Sequence, residues 1–191
     1  MDRSSASYIA FVAAAAILAI LERACARRNE VRLLRQGAEE VAPRVFRLMV
    51  PVYSLIFPAA IAEHLLGGRR PRPLWAAAML VLYAAAKGLK LWAAVQLKDL
   101  WTMRVILPRP LRVITRGPYR YVRHPNYVAV IGEILAVPLA GGAWITALLA
   151  CVLFGAILRA RVRTEEAALL ARPEYASAMA GKGRFIPGGG R

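Results

Sequence analysis

Apolar runs long enough to cross a bilayer recur along this chain, and they leave few folds open. About 20 apolar residues span the hydrocarbon core as a helix. Inside lipid, every backbone N–H and C=O must be satisfied within the spanning structure itself. The first run, YIAFVAAAAILAILE, covers about Ser7 to Leu21. The second covers about Leu48 to Leu66 and ends at Gly67-Gly68, and the third runs from Leu74 to about Leu97. Tyr127 to Leu139 and Ala143 to about Leu158 read as a tight helical hairpin around AGGA at 140–143. The first arm of this hairpin is short, which calls for tilt or for shielding by protein. The expected fold is an all-α integral membrane protein with about five transmembrane helices. The 191 residues leave little room for a second domain. Residues 1–97 supply three spans and a polar loop, and 98–191 a long polar segment, the hairpin and a tail, integrated into one membrane domain.

Composition agrees: 59% of residues are apolar, against about 45–50% in soluble domains. A formal charge of +16 raises the question of nucleic acid. The basic residues cluster beside the apolar spans instead of recurring on one face of a soluble helix, so no nucleic-acid partner is expected. Seven Lys/Arg lie in 22–47, seven in 96–126 and seven in 159–191. With five spans these regions share one side, and the other side carries only Arg3, Arg69, Arg70 and Arg72. The positive-inside rule then predicts a cytoplasmic C-terminus and an external N-terminus. The RRPR loop is the exception.

The start of the chain holds Asp2 and Arg3, with its basic cluster after the apolar run and no clear small-residue cleavage site. It reads as a retained helix, not a signal peptide. Helical propensity continues to Gln36, with Gly37 as a C-cap. Pro51 and Pro58 fall inside the second span, where membrane helices tolerate them. Cys25 and Cys151 have neither C-x-x-C spacing nor a histidine pattern around them. They read as small buried apolar residues, and no metal site is expected.

Five ionisable residues fall within the apolar runs: Glu63, His64, Lys87, Lys90 and Glu133. Such residues are functional candidates by default. Glu63 and His64 also suit an interfacial position at a helix end. Lys87 and Lys90 share a helix face and could snorkel. Glu133 lies two turns into the fourth span, and pairing with an Arg or Lys is its expected structural role.

Residues 116–127 read RGPYRYVRHPNY; seven of the twelve are Arg, His or Tyr. Gly117-Pro118 makes a turn. Pro125 drives His124 toward an extended conformation and can sit at the start of the next helix. Amides at that helix start favour an anionic group. Tyr119, Tyr121 and Tyr127 offer π-faces to an adenine ring or a sulfonium cation. The block has the parts of a ligand site at the membrane surface, and equally those of a basic-aromatic membrane anchor. In RARVRTEEAALL, residues 159–170, Arg161 and Glu165 are four apart and share a helix face. Arg163 and Glu166 read as lying on another part of the surface. Surface ion pairing is the commoner meaning of such a pattern.

Together, RGPYRYVRHPNY, the short hairpin, R-x-R-x-R-T-E-E-x-x-L, P-E-Y and R-F-I-P resemble the isoprenylcysteine carboxyl methyltransferase family over about residues 98–187. That family is in turn similar to the membrane phospholipid N-methyltransferases. More loosely, ERACARRNEVRLLRQGAEEV and LKDLWTMRVILP resemble small bacterial membrane methyltransferases found with type III polyketide synthases, which O-methylate alkylpyrone-like lipids.

The resemblance implies that 98–191 is a methyltransferase core with a cytoplasmic cofactor site for S-adenosylmethionine, built without a Rossmann domain. This chain has no G-x-G-x-x-G between strand and helix, and the terminal GGGR is no phosphate loop. By resemblance, Val113, Ile114, Tyr119, His124, Pro125, Asn126 and Tyr127 line the cofactor site, Glu165 also binds the cofactor, and Arg161 faces the substrate. Leu111 stands where the family carries a histidine before the V-I pair. The preferred acceptor is an alkylpyrone-type polyketide hydroxyl, with a polyketide synthase as a possible partner. An isoprenylcysteine-like carboxylate, a phospholipid amine and a non-catalytic scaffold are the alternatives. Methyl transfer to oxygen needs alignment and an ionised acceptor, and Arg161 could favour the anion of an acidic enol or phenol.

Overall fold

The computed structural model describes residues 2–188. Six helices dominate: α1 (Arg3–Arg35), α2 (Pro43–Gly67), α3 (Pro73–Leu97), α4 (Pro125–Ala140), α5 (Trp144–Leu170) and the short α6 (Pro173–Ala178). Four of them, α1, α2, α3 and α5, are long and apolar enough to cross a membrane, and α4 is a shorter apolar helix. The chain is an all-α membrane protein. At 1.5 Å per residue, the 16 residues of α4 reach about 24 Å, less than the ~30 Å hydrocarbon core. Protein shields it, since nine of those residues are buried.

The closest packing is between α3 and α4, and small residues permit it. A Cβ on Gly132 would stand 2.9 Å from the Ala86 Cβ, and Ala93, Ala129 and Ala136 are almost wholly enclosed. Such small-residue stripes let membrane helices approach closely. One apolar cluster joins Tyr8, Val12 and Ala15 of α1 to Ala60 of α2 and to Val137, Ala140 and Ala143 at the α4–α5 turn. A second gathers Ile56, Tyr127, Ile134, Phe154, Leu158 and Val162 among α2, α4 and α5.

The intramembrane charges are arranged for pairing. Lys90 Nζ lies 2.9 Å from Glu133 Oε2 and 2.8 Å from Glu22 Oε2. Lys87 Nζ lies 2.7 Å from Glu22 Oε1 and 3.0 Å from Glu133 Oε1. The expected partner of Glu133 is therefore a lysine pair. The lysines themselves do not snorkel: two carboxylates, from α1 and α4, hold them inward. Glu63 accepts the Ile145 and Thr146 N–H groups at 2.9 and 2.7 Å, capping an α5 start whose own N-cap residue, Ala143, makes no side-chain cap. His64 is enclosed, 2.7 Å from the Gly141 carbonyl and 3.2 Å from Ser5 Oγ. Both residues of this pair serve helix ends.

Other expectations need correcting. Cys25 is exposed and Cys151 half-buried, because apolar side chains of a membrane helix face lipid as readily as a core. Two three-residue strands, β1 (Glu39–Val41) and β2 (Val105–Leu107), pair antiparallel with Glu39 opposite Leu107. They tie the segment after α1 to the segment after α3. Helix α1 ends at Arg35 with Gln36 as C-cap, and Gly37 adopts φ +82°. Residues 189–191, within the terminal GGGR, lie outside the described residues.

Candidate active site

The segment between α3 and α4 folds over the polar end of the helix bundle. Its turn requires glycine at 117: φ is +60°, and a Cβ there would fall 2.4 Å from Gln96 Cγ. Gly117–Arg120 then makes a 3-10 turn that buries Pro118 and Tyr119. Pro125 occupies the first turn of α4, where its missing N–H costs nothing. The helix start offers an anion less than the sequence implied, because the Tyr127 and Val128 amides both bond to the His124 carbonyl.

The tail closes the site from the other side. Arg123 N donates to Gly183 O and His124 N to Arg184 O, both at 2.9 Å. Lys182 Nζ donates to the Tyr119 carbonyl at 3.0 Å. Beneath this seam sits Glu166, with only 3% of its side chain exposed. It lies 3.1 Å from His124 Nε2, 3.2 Å from Arg123 Nη1 and 2.7 Å from Arg184 Nε. The expectation that Glu166 belongs to the surface is thus overturned: the returning tail covers it with Arg184, and the segment before α4 supplies Arg123 and His124. Arg163 is exposed.

Arg161 and Glu165 do share a face, and Tyr127 joins them. Arg161 Nε donates to the Tyr127 hydroxyl at 2.6 Å, and that hydroxyl donates to Glu165 Oε2. The Arg161 guanidinium stands 5.5 Å from the Tyr127 ring centroid and donates through Nη2 to the Met103 carbonyl. The Tyr127 ring stacks on His124 at 5.2 Å and 22°. Met103 is held in turn by Glu30 of α1, which accepts the Met103 and Arg104 N–H groups at 3.1 and 3.2 Å. Neither Glu30 nor Glu166 is legible as a site residue from spacing alone.

One cavity of about 660 Å³ collects these groups, within the range of small-molecule sites. Val113, Ile114, Tyr119, His124, Asn126, Tyr127, Arg161 and Glu165 all line it, as does Leu111. Pro125 does not line it and acts instead at the helix start. Tyr175 and Met179, from α6 and just beyond, complete the polar end. Burial, with Glu165 adding to it, pushes the Tyr175 phenol up to about 12, and the same causes raise that of Tyr119. Both stay neutral donors at physiological pH. Two buried atoms at this end have no protein partner, Asn126 Oδ1 and Arg123 Nε. Away from them the cavity runs between α1 and α2 along Ala16, Ala19, Ile20, Val50, Phe57 and Pro58.

The isoprenylcysteine carboxyl methyltransferase (ICMT) family model matches residues 77–171, from within α3 to the end of α5. The chain belongs to the isoprenylcysteine carboxyl methyltransferase family. Protein YpbQ of Bacillus subtilis strain 168, described as uncharacterized, is 32% identical over 148 residues, 78% of this chain and 88% of its own length. An uncharacterized protein of Haemophilus influenzae is 27% identical over 143 residues, covering 74% of this chain and 83% of its own. As a member of the ICMT family the chain is a membrane methyltransferase, and enzymes of this family use S-adenosylmethionine.

Proposed function

We propose that this protein transfers a methyl group from S-adenosylmethionine to an oxygen of a lipophilic acceptor, and that the acceptor is an alkylpyrone-type polyketide hydroxyl. The observation that carries the reading is the Arg161–Tyr127–Glu165 array on the wall of a cavity that is polar at one end and apolar at the other.

The polar end suits the cofactor. Asn126 Oδ1, buried and unpartnered, offers an acceptor to an ammonium or hydroxyl group. Tyr119, His124, Tyr127 and Tyr175 line the same end with flat rings, and Glu165 places a carboxylate where a sulfonium is attracted. Val113 and Ile114 add apolar wall. When bound, S-adenosylmethionine supplies an electrophilic methyl group on its sulfonium.

Arg161 holds the acceptor oxygen. Its guanidinium is oriented by the Tyr127 hydroxyl and the Met103 carbonyl. A fixed cation favours an enolate or phenolate over its neutral form, so an acidic pyrone hydroxyl needs no strong base. Orientation by fixed groups is worth far more than it would be in water, because no reorganisation is needed. The apolar arm between α1 and α2 takes the alkyl chain. Leu111, in place of the family's histidine, gives this wall an apolar surface suited to a different acceptor from the family's prenylcysteine. The basic segments follow the positive-inside rule if the polar end is cytoplasmic, where the cofactor is found. A polyketide synthase releasing alkylpyrones is the partner this reading implies.

The test is titration of the purified protein in detergent with S-adenosylhomocysteine, then a labelled-methyl assay with a 6-alkyl-4-hydroxy-2-pyrone. Saturable binding and transfer to the ring oxygen are expected. Binding with transfer only to a prenylcysteine carboxylate or a phospholipid amine defeats the acceptor assignment. No binding in folded protein at millimolar ligand defeats the methyltransferase reading.

A further inference from the structure

The cavity has a second polar station inside its apolar arm. Glu22 of α1 and Lys90 of α3 line it, with Tyr53 of α2 beside them. Their partners Lys87 and Glu133 complete the group of four charges, and the Tyr53 hydroxyl donates to Glu133 Oε2 at 2.9 Å. The cavity wall continues past this group to Ala16, Phe57 and Pro58. An occupant that fills the apolar arm must therefore run alongside Glu22 and Lys90.

The geometry points to this Glu22–Lys90 pair as a subsite for a neutral hydroxyl on the alkyl chain of the acceptor. The inference rests on the methyltransferase reading of the cavity. Its chemistry follows from the unused valences. An ammonium has three donors, and Lys90 spends one on Glu22 and one on Glu133. Each Glu22 oxygen accepts from one lysine, and a carboxylate has further lone pairs. One spare donor and spare acceptors lie side by side, since Lys90 Nζ and Glu22 Oε2 are 2.8 Å apart. A hydroxyl, which both donates and accepts, satisfies both. An anion does not suit the site: two lysines already balance two carboxylates. A plain alkyl chain would leave the pair facing hydrocarbon with its hydrogen-bonding capacity unmet, and sites built for a polar group discriminate strongly against analogues that lack it.

The spacing comes from α4. Tyr127 marks the reacting end and Glu133 the second station, six residues apart on one helix. At 1.5 Å per residue they are separated by about 9 Å along the helix axis, so the second station lies part-way down the apolar arm.

The experiment compares two probe pairs by titration of the full chain in detergent. One pair is 6-alkyl-4-hydroxy-2-pyrones with and without a hydroxyl part-way along the alkyl chain. The other is long-chain alkylphenols with and without the same group. The hydroxylated member of a pair is expected to bind the wild type roughly tenfold or more tightly. That preference should vanish in Glu22→Met/Lys90→Met, which removes one charge of each sign and every hydrogen-bonding group of the pair, or in Glu22→Leu/Lys90→Leu if the first double variant does not fold. Equal affinity within both pairs, no binding of any of the four, or a preference that survives substitution overturns the subsite. Methyl transfer is scored separately. Hydroxyl-dependent binding without transfer to any of the four defeats the acceptor assignment and leaves the subsite standing.

Discussion

Arg161 Nε donates to the hydroxyl of Tyr127 at 2.6 Å, so a residue of α5 and one from the first turn of α4 fix each other. The same hydroxyl donates to Glu165. Tyr127→Phe keeps the ring and its stacking on His124 but unties both charged partners. Hydrogen bonds to charged groups are worth about 1.5–3 kcal/mol, so kcat should fall roughly 10- to 100-fold. Steady-state kinetics beside a binding isotherm for S-adenosylhomocysteine checks this, and an unchanged kcat counts against the array.

The assigned roles differ at the two ends of that array. Arg161→Ala should abolish turnover with modest loss of cofactor affinity, because the proposed role of the guanidinium is at the acceptor. Glu165→Ala and His124→Ala should weaken cofactor binding itself. Calorimetric titration of all three separates the roles. Equal losses of affinity would contradict the division.

Glu30 acts at a distance through Met103. It is nearly wholly enclosed, holds the Met103 and Arg104 amides, and is paired to Arg23 and Arg104. Glu30→Ala leaves two partly buried amides unmatched and should destabilise the protein by about 1–2 kcal/mol. It should also lower kcat per folded molecule, since the Met103 carbonyl orients Arg161. Glu30→Gln, which retains an acceptor, should restore part of the kcat. Loss of stability alone, with kcat per folded molecule intact, would make Glu30 purely structural.

The spans were legible in the sequence because lipid imposes length and apolarity on any crossing helix. The candidate site was legible where local rules set it: Gly117-Pro118 as a turn, Pro125 at a helix start, Arg161 and Glu165 one helical turn apart. Partners remote in sequence were not. Glu166 reads as a surface ion pair until the chain returns with Gly183 and Arg184 over it. Lys87 and Lys90 read as snorkelling side chains because Glu22, which holds them inward, lies 65 and 68 residues away. The strands Glu39–Val41 and Val105–Leu107 are too short to show a period, and tertiary contact alone creates them.

Glu63 gives a prediction that leaves the chemistry aside. Its carboxylate accepts the first free amides of α5 from a different helix. Glu63→Ala should therefore cost about 0.5–2 kcal/mol, the range for losing an N-cap, with no change in kcat. Thermal unfolding in one detergent checks the first part and kinetics the second.

Charge balance in the four-residue cluster sets the last prediction. Lys90→Met alone leaves Glu22 and Glu133 facing one lysine in a region with little water. Breaking a buried pair on one side costs about 3–5 kcal/mol, whereas replacing both partners with uncharged residues is often near neutral. Lys90→Met/Glu133→Gln should therefore be more stable than Lys90→Met, although it carries one substitution more. The comparison is made by denaturation midpoints of the two variants and of Glu133→Gln. A double variant less stable than both singles would mean that the cluster holds the helices together through its specific bonds, not through its neutrality.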